Sequence, residues 1–163
     1  MSRKRTLLLL AGILMAGCRD DEPIAEPIDP IVTLDTGTIL IVSDADTASL
    51  AVEVAEAEQE RNIGLMRRTT LAEDAGMIFL FPTLQPADGA FWMYNTLIPL
   101  DIAFIDPDGR IGSIRQMEPC TSPVAQYCPN YEAGVPFQSA LEVNAGYFAE
   151  HGIVAGAQVI LQR

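Results

Sequence analysis

From Gly37 onward the chain is cut into short apolar runs by turn-forming residues, and that pattern restricts it to a mainly β fold. Thr38 to Val42 and Leu50 to Val54 are rich in β-branched and aliphatic residues and are separated by an Asp/Ser/Thr loop. Met77 to Phe81 is an apolar run stopped by Pro82. Ala90 to Asn95 and Asp101 to Asp106 read as strands on either side of a tight turn. In Asp106-Pro107-Asp108-Gly109, Pro presets the first corner and Gly is free to take positive φ, so Arg110 to Arg115 returns as the second arm of a hairpin. Gln138 to Val143 and Gln158 to Leu161 supply the last strands. Two helices interrupt: Glu56 to Leu65, with Gly64 near its end, and Ala145 to His151, with Asn144 as N-cap and Gly152 at the C-cap. The connections look too short for crossover helices, which argues against a parallel α/β sheet. The expected fold is an antiparallel β-sandwich or compact barrel-like domain with two short helices.

The first residues read as an address. Arg3, Lys4 and Arg5 form a basic head, and Leu7 to Ala16 form an apolar run too short to span a bilayer as a mature helix. The run ends in Leu14-Met15-Ala16-Gly17-Cys18, which resembles a bacterial lipobox, where the signal is cut before a Cys that then receives a diacylglycerol. Residues 1–17 are therefore expected to be a signal peptide. Residues 18–36, acidic and punctuated by Pro23, Pro27 and Pro30, are expected to form a solvated tether from a lipidated Cys18 to a single domain over 37–163. The expected location is the periplasmic side of the cell envelope, with the outer membrane favoured because Arg19, and not an Asp, follows Cys18. Of the three cysteines, Cys120 and Cys128 then remain as a pair, and an oxidising compartment makes a disulfide between them the default.

Charge narrows the partners. The whole chain carries 22 acidic and 10 basic residues, a net charge of −12. Loss of Arg3, Lys4 and Arg5 leaves seven bases, all arginine, and a net charge of −15. Such a surface repels nucleic acid and anionic lipid headgroups. The sequence carries no motif for a cofactor or a metal. Ser113 and Ser139 lack a nucleophile-elbow context, and the one histidine, His151, sits where it suits a helix C-terminus.

The stretch Phe91 to Asp101 concentrates aromatic, thioether, amide and carboxylate groups around one turn. On a strand, Phe91, Met93 and Asn95 share one face, and Trp92, Tyr94 and Thr96 share the other. Phe91 and Met93 suit a core, and Asn95 and Thr96 suit the turn backbone before Pro99. Trp92 and Tyr94 form an aromatic surface fit to stack on a sugar ring or peptide side chain. Asp101 and Glu142 are acids embedded in apolar strands. Asp101 is placed to cap or bond the turn amides after Pro99, and Glu142 to pair with Arg67 or Arg68. The candidate ligand site is Trp92, Tyr94, Asn95 and Asp101, backed by Glu142, Asn144 and Arg67. Its occupant would be an envelope glycan, peptide or protein. The alternative is an envelope hydrolase of saccharide or peptide using Asp101 and Glu142, which needs both carboxyls in one cleft, within roughly ten ångströms.

Several motifs in order carry a family resemblance. They are Arg61 with Gly64-Leu65-Met66-Arg67, Gly76-Met77-Ile78-Phe79, Phe91-Trp92-Met93 with Asn95-Thr96, Ile98-Pro99-Leu100-Asp101 with Phe104-Ile105-Asp106, and Leu141 to Gly146. Together they resemble the bacterial and archaeal family named domain of unknown function 192, from about Leu50 to Leu161. The resemblance implies a mostly antiparallel β-sandwich and frequent export, and it implies no established activity. This chain has Tyr94 where the family commonly has Lys, so any charge-based role of that Lys is absent here.

Overall fold

The computed structural model describes residues 33–43 and 47–163. The signal segment, Cys18 and most of the expected tether lie outside the described residues. The strands are β1 (Asp35–Val42), β2 (Thr47–Ala55), β3 (Ala75–Gln85), β4 (Ala90–Trp92), β5 (Leu100–Ile105), β6 (Ile111–Met117), β7 (Asn130–Glu132), β8 (Phe137–Asn144) and β9 (Gln158–Gln162). Helix α1 (Glu58–Ile63) lies between β2 and β3, and α2 (Tyr147–Glu150) between β8 and β9.

Seven strands form one sheet in the order β6-β5-β8-β3-β2-β1-β9, and β4 and β7 pair separately. The large sheet curls into a half-barrel. Its edge strands approach each other through an Arg110↔Gln158 bridge, with the Ile111 amide donating to Ala157 at 3.0 Å and the Val159 amide donating to Gly109 at 2.8 Å. Every neighbouring pair is antiparallel except β2 and β3, which run parallel from Ala51↔Ala75 to Ala55↔Phe79. That pair corrects the expectation of purely antiparallel pairing. Residues 56–74 hold α1 and exceed the roughly dozen residues a crossover requires.

Local physics explains the other boundary shifts. β3 runs on through Pro82 because its pairing with β2 ends at Phe79 and its register with β8 is irregular between Leu80 and Gln85. Proline there removes no ladder hydrogen bond. α1 is shorter than expected. It starts where the Glu60 carboxylate accepts the Ala57 and Glu56 amides at 2.7 and 2.8 Å, and it stops at Gly64 with φ 50°. α2 is capped by Gly146 at φ 92°, not by Asn144. The side chain of Asn144 instead donates to the Leu71 and Ala72 carbonyls at 3.3 and 2.9 Å.

Both faces of the sheet are buried. Ile39, Ile41, Val52, Ile78, Leu141 and Val143 pack with Tyr147 and Phe148 of α2 on one side. Met77, Phe79, Leu100, Ile102, Phe104 and Ala140 pack with Leu65, Met93 and Phe137 on the other. The second core supports the candidate site.

Candidate functional site

The stretch after β4 leaves the ladder at once. Trp92 pairs with Asn130 of β7, and then Asn95 takes φ 56° while the Thr96 amide turns back to the Met93 carbonyl at 3.0 Å. Asn tolerates the left-handed region, so the expected strand to Asn95 ends three residues early. The disulfide-bearing segment holds this turn. The Asn95 amide donates to Cys120 at 3.0 Å, the Cys120 amide donates to Thr96 at 3.2 Å, and Cys120 is bonded to Cys128 with an S–S distance of 2.02 Å. On the other flank the Arg67 amide donates to the Asn95 carbonyl at 2.7 Å.

The alternation expected from the sequence holds for the rings. Met93 is fully buried and Phe91 packs into the second core, while Trp92 is 44% exposed and its ring centroid lies 5.8 Å from that of Tyr94. Phe91 meets Phe79 edge-on at 5.1 Å and Phe104 at 5.7 Å, so one wall of the site is an interlocked aromatic cluster.

Beside this cluster lies a cavity of about 470 Å³, between α1, β3 and the Trp92–Thr96 turn. Phe79, Phe81, Phe91 and Trp92 supply its aromatic lining, and Thr96, Asn130, Arg61 and Glu142 supply polar groups. Arg61 is held in place: its guanidinium lies 5.0 Å from the Phe81 ring centroid and donates to the Leu80 carbonyl at 3.1 Å and to the Glu56 carbonyl. Sequence reasoning overlooked Phe79, Phe81 and Arg61 as site residues. The Arg61 and Phe79 motifs were visible as family residues, but nothing in their spacing shows that α1 folds over β3.

Glu142 is the unusual member. It lies opposite Met77 of β3 and Ile102 of β5, on the apolar face of a central strand, and is only 5% exposed. Among the described residues nothing donates to its carboxyl, and burial alone pushes that group from its ordinary 4.5 up to about 8. The expected pairing with Arg67 or Arg68 is not seen among the described residues, where burial alone accounts for the state of the Glu142 carboxyl. Arg68 bonds Glu53, and the Arg67 backbone, at φ 62°, is joined to Asn95.

Asp101 goes elsewhere. Its partner in the ladder is Val143, so it shares a face with the first core, whereas Ile102 and Glu142 share the opposite face. Its carboxylate accepts the Gly146 amide at 2.9 Å and caps the start of α2. Burial raises its titration point, the Gly146 and Phe148 amides oppose that, and Glu150 adds to the rise. The turn amides it serves are therefore those after Asn144, not those after Pro99. Asp101 and Glu142 do not share a cleft, and the paired-carboxylate hydrolase reading fails on that geometry. Of the seven expected site residues, Trp92 and Glu142 line the cavity. Tyr94, Asn95 and Arg67 flank or support its rim, and Asp101 and Asn144 serve the scaffold.

The model of the domain of unknown function 192 family, described as Uncharacterized ACR, matches residues 40–161. The chain belongs to this family. No curated protein matches it. Among solved structures, a candidate transcription regulator from Sinorhizobium meliloti 1021 is 30% identical with a TM-score of 0.72, covering 80% of this chain and 96% of its own. A protein of unknown function from Novosphingobium aromaticivorans DSM 12444 is 32% identical with a TM-score of 0.66, covering 85% and 94%. The fold is thus shared with these two proteins, and neither description names a ligand.

Proposed function

We propose that this family member is an exported, lipid-anchored binding or accessory domain whose site is the cavity between Trp92 and Glu142. One observation carries the reading: a buried carboxyl without a partner among the described residues lies against a cavity that also holds four aromatic rings. A group placed this way only for stability would be better replaced by an apolar residue, since burying it unpaired is costly. A volume of about 470 Å³ suits a small organic molecule or the end of a peptide or glycan. Binding fits better than catalysis, because among the described residues no Ser, Cys or His lines the cavity and Asp101 lies across the sheet. Regulation through DNA, which the description of the Sinorhizobium protein suggests, fits poorly with a net charge of −12.

The anchoring part of the reading rests on the basic head, the apolar run and the Leu14 to Cys18 segment. Cys18→Ser should release the protein from the membrane fraction and remove the mass of a diacylglycerol. Unchanged fractionation and mass would defeat that part. For the binding part, the full chain and Trp92→Ala should be screened against envelope glycans, peptides and small metabolites by NMR shift mapping. Shifts confined to cavity residues, weakened in the variant, are expected. Shifts centred elsewhere would move the site.

A further inference from the structure

Resting on the cavity as a binding site, we propose that its ligand is a small organic cation, a protonated amine with an apolar body. The ammonium would meet the Glu142 carboxyl, and the body would lie among Phe79, Phe91 and Trp92.

The lining chemistry selects for this class. Glu142 is nine-tenths or more buried, faces the cavity and has no donor among the described residues. Besides Glu142, the charged residues lining the cavity are Glu58 and Arg61 of α1, while Glu60 of α1 caps its own helix and Glu132 ends β7 outside the lining. The neighbours of Glu142 on β3 and β5, Met77 and Ile102, are apolar, and Trp92 and Asn130 on β4 and β7 are neutral. Arg61, the cation lining the cavity among the described residues, is engaged with two carbonyls and the Phe81 ring and not with Glu142. Aromatic faces attract ammonium groups, most strongly where water is excluded. The net charge of −12 and Glu58 at the cavity favour the approach of a cation. An anion would face a buried acid, and the one base lining the cavity among the described residues, Arg61, is already engaged. A neutral alcohol would bond the carboxyl but gain nothing from the rings or the field.

Binding then carries a proton balance. The empty site holds Glu142 as the neutral acid, and an ammonium stabilises the carboxylate. The carboxyl proton therefore leaves to buffer as the ion pair forms, one per ligand, with no covalent bond made or broken.

The test uses the full chain and three shape-matched probes: phenethylamine, 2-phenylethanol and 3-phenylpropanoate. Trp92 is the only tryptophan, so its fluorescence reports the cavity directly. Proton release is read by calorimetry in two buffers of different ionisation enthalpy. The amine should bind best and release close to one proton at about pH 6, falling through zero near about pH 9 and turning to uptake above it as the free amine loses its own proton. Glu142→Gln should weaken amine binding by at least about tenfold and abolish the release. Equal or tighter binding of the alcohol or carboxylate, or an amine bound without proton release at about pH 6, overturns the amine inference and leaves the binding site standing. No Trp92 response to any probe at millimolar concentration overturns the inference, while the broader binding reading is judged by its own screen. If Glu142→Gln does not fold, the pH course of proton release in the parent decides alone.

Discussion

Glu142 shows how one residue sets a pH dependence for the whole domain. In the unfolded chain its carboxyl ionises near 4.5, and in the folded chain near 8. The folded state therefore holds a proton that the unfolded state has lost throughout that window. Its contribution to stability is fully present below about 4.5 and falls as pH rises towards 8, by an amount on the order of several kcal/mol. Glu142→Gln removes this slope. Urea melts of parent and variant should nearly coincide at low pH, diverge as pH rises from about 4.5 and reach full separation near pH 8, with the variant the more stable. Parallel curves across the range would mean that the carboxyl is not held neutral by burial. Asp101 acts differently, because its carboxylate has amide donors. Asp101→Ala should cost about 1–3 kcal/mol through the lost cap on α2, and Asp101→Asn, which keeps an acceptor oxygen, should cost less. Both comparisons are read by chemical denaturation at fixed pH. The sequence showed that each residue was an acid in an apolar strand. It did not show that they face opposite sides, since that depends on the register of β5 against β8.

At the scale of elements, local signals were readable wherever neighbours in sequence settle the structure. The Asp106–Gly109 turn is present, with Asp106 accepting the Asp108 and Arg110 amides at 2.9 and 2.8 Å. β1, β2, β8 and β9 lie within a few residues of their expected bounds. The failures are all tertiary. Pro82 stays within β3 because partners on both sides relax there, and Trp92 to Asn95 breaks early because Cys120 supplies its hydrogen bonds. Two element-scale tests follow from those contacts. A Cβ at Gly76 would sit 2.5 Å from the Glu142 carbonyl, at the β3–β8 seam beneath the cavity. Gly76→Ala should therefore destabilise by about 1–3 kcal/mol, through backbone displacement that no side-chain rotation can relieve. Cys120→Ser with Cys128→Ser should cost about 2–3 kcal/mol in the chain-entropy picture. It should also shift Trp92 emission, because the Cys120 backbone braces the turn that carries Trp92 and Thr96. A stability loss without any change in Trp92 emission would show that the brace does not reach the site.

At the scale of the whole molecule, topology and charge act separately. Mainly β content follows from the run lengths, but the mixed half-barrel depends on one parallel pair, created by the crossover through α1. The same crossover brings Arg61 and Glu58 over β3 and so closes one side of the cavity, which is why a wholly antiparallel reading also misses half of the site. Charge has no part in choosing that topology, but it does bear on its stability. The chain has a net charge of −12, and two of the ion pairs among the described residues are Arg68–Glu53 and Arg163–Glu56. Both are partly exposed, so salt has little attraction to screen and much repulsion. Raising ionic strength from about 0.05 to 0.5 M at neutral pH should therefore stabilise the fold by on the order of 1 kcal/mol, or about 3–5 °C in Tm. Calorimetric melts in sodium chloride measure this. A Tm that falls with salt would mean that attractive pairs outweigh the net repulsion. The acidic surface would then have to be organised by arginine contacts beyond those two, which would weaken the case for a field that draws cations to the Glu142 cavity.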